Sequence, residues 1–183
     1  MQLRHNGGAV LAGAAFGFLA GLAANPARKL AIQGVESAAG DWVAMLTLEH
    51  RVVEKVFDAL LATHPRETAK RQGLLLKLVY TLNKHASEEE NVVYPVVRGH
   101  DAQAASELVA DHAEVKALLS ELQYGIEKDD PRWLAAVRSL REKVVSHAQA
   151  EEETVFPKLR DTLTPEENTA LTRRVNWEGV KTA

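Results

Sequence analysis

Residues 133–160 read WLAAVRSLREKVVSHAQAEEETVFPKLR, and the spacing of their apolar residues decides the fold. Alternating steps of four and three are typical of one face of an α-helix. The steps run through Trp133, Val137, Leu140, Val144, His147, Glu151 and Val155. The pattern therefore predicts a long amphipathic helix in which a histidine and a glutamate occupy positions on the buried face.

The chain from residue 41 onward contains three more segments with helical spacing, and none shows the alternation of a β-strand. Helix-breaking residues separate the segments at His64-Pro65, Gly99-His100-Asp101 and Asp129-Asp130-Pro131. Because such short connections make consecutive helices antiparallel, the sequence predicts an all-α, up-and-down antiparallel four-helix bundle over residues 41–162. A short C-terminal helix is predicted within residues 163–183, where Thr164 supplies an N-cap and Glu167 completes a capping box.

The histidines belong to two copies of one pattern. Residues 85–98 and 147–160 share seven of fourteen positions, and each segment begins with His-x-x-x-Glu. Because residues four apart stand one turn apart on the same helix face, each such pair can converge on one point. A lone histidine precedes each pair by 35 residues, since His50 precedes His85 and His112 precedes His147. The chain therefore reads as a duplicated helical hairpin.

Six side chains on the buried faces are the predicted metal ligands: His50, His85, Glu89, His112, His147 and Glu151. Buried carboxylates are costly without a partner, so a cation between the two glutamates is the simplest explanation of their position. Six ligands exceed what one tetrahedral zinc needs and suit two metals bridged by the carboxylates. Imidazole with carboxylate fits iron, although zinc, copper and nickel accept the same ligands. The absence of cysteine excludes thiolate sites.

Other residues beside the motifs receive different interpretations. The remaining glutamates lie off the four-residue step, so they are interpreted as exposed residues or salt-bridge partners. They are Glu88, Glu90, Glu152 and Glu153. Glu54, four residues after His50, is kept as a reserve ligand, although its counterpart in the second half is Lys116. Tyr94 and Phe156 correspond in the repeat and are expected to close the end of the pocket.

The N-terminal segment, residues 1–30, is hydrophobic and glycine-rich. Residues 6–27 carry no charge, and their 22 residues are close to the roughly 20 that span a bilayer as a helix. A membrane anchor, a cleaved signal peptide and a packing helix all remain open. If the segment is an anchor, the basic pair Arg28 and Lys29 favours a cytoplasmic bundle. The glycine spacing supports helix association and hence an oligomer, through Gly13, Gly17 and Gly21.

Composition bears on the partners. The net charge is −3, and charged residues make up 26% of the 183 residues. This balance gives no general electrostatic reason to bind nucleic acid or an acidic membrane surface. No nucleic-acid partner is therefore expected, and a cytoplasmic protein that binds a small molecule is favoured.

These motifs resemble the hemerythrin-like family, also called the HHE cation-binding domain, over roughly residues 42–160. The residues that carry the resemblance are Glu49-His50-Arg51, His85-Ala86-Ser87-Glu88-Glu89-Glu90 with Tyr94-Pro95, Asp111-His112-Ala113-Glu114, and His147-Ala148-Gln149-Ala150-Glu151-Glu152 with Phe156-Pro157. The resemblance implies a four-helix bundle that holds two iron ions, bridged by Glu89, Glu151 and a solvent-derived oxygen. It also implies a small ligand, namely oxygen, nitric oxide or peroxide.

One position departs from the oxygen-carrying members of that family, which have a fifth histidine one turn from the third-helix ligand. Leu108 and Lys116 stand four residues before and after His112 in this chain. The departure favours sensing, scavenging or detoxification over oxygen carriage and leaves enzymatic turnover open. Iron storage or iron-level sensing without turnover, and a structural metal-binding bundle, are the alternatives.

Overall fold

The computed structural model describes residues 40–182, which are helical apart from short connections. Seven α-helices follow one another in this part of the chain: α1 at Trp42–Leu61, α2 at Thr68–Glu88, α3 at Tyr94–His100, α4 at Ala102–Ser120, α5 at Trp133–Ala150, α6 at Phe156–Thr162 and α7 at Pro165–Thr182. Three π-helical turns continue α2, α4 and α5, at Glu89–Val93, Glu121–Gly125 and Glu151–Val155. The predicted hydrophobic N-terminal helix lies outside the described residues.

The all-α bundle predicted from the sequence is confirmed. α1 packs against α2 and α5, and α4 packs against α3 and α5. Of the predicted helix breakers, His64-Pro65, Asp101 and Asp129-Asp130-Pro131 lie in the connections, whereas Gly99 and His100 are the last residues of α3. α7 lies across α1, α2 and the first π turn. It is tied to the start of α1, since the Trp42 indole donates to Asn168 Oδ1 at 3.0 Å. The C-terminal helix is therefore part of the bundle's surface layer.

Side chains fix the starts of three helices. Asp41 and Asp101 each accept a hydrogen bond from a backbone N–H of the first turn that follows, in α1 and α4. At α7, Glu167 N donates to Thr164 Oγ1 at 3.2 Å, and Thr164 N donates to Glu167 Oε2 at 2.8 Å. This reciprocal pair is the capping box that the sequence predicts.

Pro95 and Pro157 each follow a π turn, at Glu89–Val93 and Glu151–Val155. A proline cannot donate a backbone hydrogen bond, but a wider turn keeps the chain helical around it. The N–H of Tyr94 bonds to the carbonyl of Glu89, and Phe156 bonds to Glu151 in the same way, five residues back. In a regular α-helix, residues five apart point about 140° away from each other. The π turns instead bring the aromatic side chain towards the glutamate that precedes it by five.

The core consists of two apolar clusters. One cluster is built around Phe57, Leu78, Trp133 and Leu140, and the other around Trp42, Leu46, Phe156 and Val175. On α1, His50 lies between the residues of the two clusters. The predicted ligands therefore form a buried polar layer between the two apolar clusters of the bundle.

Within residues 40–182, no helix combines the length and the apolar character that a bilayer crossing requires. The anchor that the sequence analysis leaves open, at residues 6–27, lies outside this part of the chain, as do the three glycines expected to support an oligomer.

Candidate metal centre

The structure brings all six predicted ligands together. Their donor atoms form two groups whose members lie within 4.8 Å of one another: His50, His85, Glu89 and Glu151 in the first, and Glu89, His112 and His147 in the second. Every one of the six residues is buried, and both glutamates are 0% exposed. Because Glu89 belongs to both groups, it stands where a bridging carboxylate would stand.

All four imidazoles direct Nε2 into the layer. His50 Nε2 lies 2.8 Å from His85 Nε2. Glu89 Oε2 lies 3.2 Å from His85 Nε2 and 3.3 Å from His112 Nε2. Glu151 Oε2 lies 3.4 Å from Nε2 of both His50 and His147. The nitrogen and oxygen lone pairs thus face one another across a space closed to water.

Two carboxylate oxygens of the layer accept no hydrogen bond. These atoms are Glu89 Oε1 and Glu151 Oε2, and both are inaccessible to solvent. An unpaired buried carboxylate oxygen is costly, whereas a bound cation would compensate it. The donor set of imidazoles and carboxylates therefore fits the metal that the sequence pattern predicts.

A second carboxylate bonds Nδ1 of each imidazole. The pairs are His50 with Glu152 at 2.7 Å, His85 with Glu49 at 2.8 Å, His112 with Glu90 at 2.7 Å and His147 with Asp111 at 3.4 Å. Such a carboxylate holds the proton on Nδ1, fixes the ring orientation and leaves the Nε2 lone pair for a metal.

Two of these outer carboxylates make a contact that the sequence interpretation missed. Glu90 and Glu152 form salt bridges, as expected, with Lys116 and Arg51, and each also bonds Nδ1 of a histidine of the other half of the repeat. A signal was available, because both follow a motif glutamate by one position in both copies. Glu54, the reserve ligand, instead pairs with Arg51 and belongs to neither donor group.

Charge complementarity shifts the pKa of three ligands, Glu89, His85 and His112. Burial acts to raise the pKa of Glu89, but His85 and His112 beside it hold that pKa well below its usual range. Burial acts to lower the pKa of His85, and the carboxylates of Glu89 and Glu49 outweigh it and raise the pKa well above its usual value. The ion pairs thereby hold the layer together without a metal.

Tyr94 enters the layer itself rather than closing its end. Its hydroxyl donates to Glu151 Oε1 at 2.7 Å, and the side chain is buried. Burial and the neighbouring carboxylates raise the pKa of this phenol well above its usual value. Phe156, its counterpart in the repeat, stacks on His50 with ring centroids 6.4 Å apart. The two halves of the site therefore differ.

A cavity of about 30 Å³ adjoins the imidazoles on the side of the first apolar cluster. All four histidines line it, together with Val53, Leu82, Asn83, Ala86, Val115, Lys116, Leu119 and Val144. This volume is about that of one water molecule. Lys116, at the surface beside the cavity, pairs with Glu90 at 2.5 Å, whereas Leu108 packs in the second apolar cluster.

A charged cluster lies beneath α7, next to His85. Lys84 is 5% exposed and pairs with both Glu49 and Glu88. Burial and the charge of Glu49 raise the pKa of Glu88 to about 9, although Lys84 opposes the shift. Gly179 of α7 covers the pair so closely that a Cβ atom there would lie 2.1 Å from Glu88 Oε1. Glu88, expected at an exposed position or in a salt bridge, is a fully buried ion-pair partner.

A comparison with curated proteins corrects the expected partners. The chain is 30% identical over 125 residues to a protein named DNA nickase from Nostoc sp., a match that covers 67% of this chain and 34% of that protein. The chain thus spans about a third of the length of this relative. The expectation of no nucleic-acid partner is contradicted by this match. Net charge does not by itself decide the partners, because it sums over the whole chain, whereas recognition depends on local surfaces.

Two further comparisons concern the fold and the family. The structure matches the crystal structure of a hemerythrin HHE cation-binding domain-containing protein from Mycobacterium kansasii, with a TM-score of 0.69 and 20% identity. The match covers 78% of this chain and 86% of that one, which supports a shared fold. The model of the hemerythrin HHE cation-binding domain matches residues 42–159, well over half of the chain. With its cation-binding bundle and its His and Glu layer, the chain belongs to the hemerythrin HHE cation-binding domain family.

Proposed function

We propose that the bundle is a non-haem di-iron protein that binds or reacts with oxygen, nitric oxide or peroxide, in sensing, scavenging or detoxification. The observation that carries the proposal is the buried layer, where six donor residues converge and two carboxylate oxygens accept no hydrogen bond. Imidazole with carboxylate is a ligand set that suits iron. Iron would supply the redox chemistry and a coordination position for the small ligand.

The residues have separate roles in this proposal. His50 and His85 would hold one ion and His112 and His147 the other, and Glu89 and Glu151 would be the ligands shared between them. The cavity of about 30 Å³ beside the imidazoles has room for a molecule about as large as water. It therefore favours a diatomic molecule or peroxide over a larger organic substrate.

The layer also excludes bulk water. The apolar clusters close the site at both ends, and Tyr94 fills the space between the second histidine pair and Glu151. Exclusion of water strengthens the electrostatic interactions inside the site and suppresses side reactions. Lys116 and Glu90 stand at the surface beside the cavity, so their ion pair lies where a small ligand would enter.

Metal analysis tests the proposal directly. The full chain, purified in air, is expected to contain about two irons per chain, in keeping with a two-metal site. Glu151→Ala should lose metal, because it removes a bridging carboxylate from the 0%-exposed layer. Glu153→Ala is the matched control, because Glu153 is an exposed residue two positions away. Equal metal content in both variants, or zinc alone in the wild type, would contradict the di-iron centre.

Ligand addition then separates turnover from storage. If the centre turns over peroxide, oxygen evolves at a rate that Glu151→Ala abolishes and Glu153→Ala preserves. If it only binds a ligand, azide or nitric oxide changes the absorption spectrum without turnover. A protein whose spectrum responds to none of these molecules is an iron store, an iron-level sensor or a structural bundle.

A second candidate function is action on DNA, and the similarity to the Nostoc protein favours it. A supercoiled plasmid incubated with the full chain should be converted to the open circular form if the shared segment carries nicking activity. Adding catalase to the reaction controls for damage by iron and peroxide. If the plasmid stays supercoiled while the protein holds its metal, this candidate is excluded and the iron proposal is unaffected.

A further inference from the structure

Tyr94 has more potential partners than a phenol can satisfy. Its oxygen lies 2.7 Å from Glu151 Oε1, 3.0 Å from His112 Nε2, 3.2 Å from His147 Nε2 and 3.4 Å from Glu89 Oε2. The hydroxyl has one proton to donate, and the carboxylates are acceptors. One hydrogen bond, to Glu151, accounts for that proton, so no proton is left for the contact between the phenol oxygen and Glu89 Oε2.

The two histidines face Tyr94 with Nε2, because Nδ1 of His112 bonds to Glu90 and Nδ1 of His147 lies 3.4 Å from Asp111. A carboxylate on Nδ1 directs Nε2 towards a metal site. Two ring nitrogens, a carboxylate oxygen and the phenol oxygen thus converge, as they would around a cation.

The separations are those of neighbouring ligands on one metal ion. Bonds of about 2.0–2.2 Å at angles between octahedral and tetrahedral place donor atoms about 2.8–3.6 Å apart. The contacts of Tyr94 with His112, His147 and Glu89 span 3.0 to 3.4 Å, and His112 and Glu89 stand 3.3 Å apart. We propose that Tyr94 supplies a phenolate oxygen as a ligand of the cation held by His112, His147 and Glu89.

The ligand would make the two metal positions inequivalent. The corresponding residue of the other half, Phe156, stacks on His50 and has no donor atom. The positions four residues before and after His112 supply no ligand either, since Leu108 is in the core and Lys116 pairs with Glu90. On binding, the phenol O–H bond would break, an oxygen–metal bond would form, and the proton would pass to Glu151 Oε1, which already accepts the hydrogen bond of the hydroxyl.

This inference rests on the proposed metal centre. Spectroscopy distinguishes a failure of the Tyr94 ligand from a failure of the metal centre itself. Iron(III)-loaded wild-type protein should show a visible phenolate-to-iron charge-transfer band with phenolate vibrations in its resonance Raman spectrum. Tyr94→Phe should abolish both signals, and its fold should survive because phenylalanine occupies the equivalent position 156. Tyr124→Phe is the matched control, since Tyr124 is 84% exposed. Zinc loading should likewise produce the near-ultraviolet absorbance of phenolate in the wild type and not in Tyr94→Phe.

Each outcome is decisive. A wild-type protein with two metal ions and no phenolate signal would overturn the role of Tyr94 and leave the di-iron proposal intact. A phenolate signal that persists in Tyr94→Phe would also overturn the role of Tyr94 and leave the di-iron proposal intact. A helical wild-type protein that takes up neither iron nor zinc would overturn both. The inference stands if the signal is present in the wild type and in Tyr124→Phe and absent in Tyr94→Phe.

Discussion

The carboxylate behind each imidazole determines how well that imidazole can bind a metal. His50 illustrates the arrangement, since its Nδ1 lies 2.7 Å from Glu152 while its Nε2 enters the ligand layer. Glu152 comes from the other half of the duplicated hairpin and is also held by Arg51. Each half of the repeat therefore orients ligands of the other, which ties occupancy of the site to the packing of the two hairpins.

Glu152→Gln is accordingly expected to weaken metal binding. Loss of the charge on such an outer partner typically costs about 10- to 100-fold in metal affinity, because the ring loses basicity and a fixed orientation. Competition with a chelator measures the change, and the adjacent exposed Glu153→Gln is the control. If the two variants hold metal equally well, the orienting role of Glu152 is wrong.

At the scale of elements, α7 packs closely against the segment that carries Glu89. Glu178 accepts hydrogen bonds from Ser87 Oγ at 3.2 Å and Asn91 Nδ2 at 3.0 Å, on either side of the ligand. The next residue, Gly179, lies directly against Glu88 and Lys84. The absence of a side chain at this glycine permits the close approach of α7.

Gly179→Ala should therefore destabilise the protein, by about 1–3 kcal/mol as is usual for overpacking in a tight core. The added methyl group would stand 2.1 Å from Glu88 Oε1, so α7 or the ion pair must move. Gly73→Ala, in α2 with nothing within 4 Å of the new atom, should instead stabilise by up to about 1 kcal/mol. Urea denaturation of both variants measures the difference, and shifts of the same sign would contradict the close contact.

For the molecule as a whole, the buried charges make stability depend on pH. The carboxyl of Glu88 loses its proton near its ordinary pKa of 4.5 in the unfolded chain, and at a pKa of about 9 in the folded protein. Between these values the folded state binds one more proton than the unfolded state, so rising pH favours unfolding through this group.

The metal-free wild-type protein should accordingly lose part of its free energy of unfolding as the pH rises through this window. Glu88→Gln cannot ionise at this position, so its stability should fall less steeply over the same window. Urea denaturation in the presence of a chelator, at several pH values, compares the two slopes. Parallel slopes would show that Glu88 is ionised in the folded protein.

The sequence by itself determined the bundle and the identity of the central side chains. Periodicity reports which face of a helix is buried, and a histidine or glutamate on that face, such as His147 or Glu151, shows where polar groups enter the core. The duplication added the pairing of His50 with His85 and of His112 with His147. None of this needed long-range information, because each inference concerns one helix or two copies of one motif.

Only the tertiary structure decided which atoms meet. Periodicity of 3.6 residues cannot foresee a π turn, so it could not place Tyr94 on the same side as Glu89. It could not pair Glu152 with His50, which are 102 residues apart, because that contact depends on how two hairpins pack. Nor could periodicity predict that Glu88 is buried, because α7 covers this residue only through the close approach of Gly179. Contacts between helices depend on packing in three dimensions, which a pattern along one helix does not record.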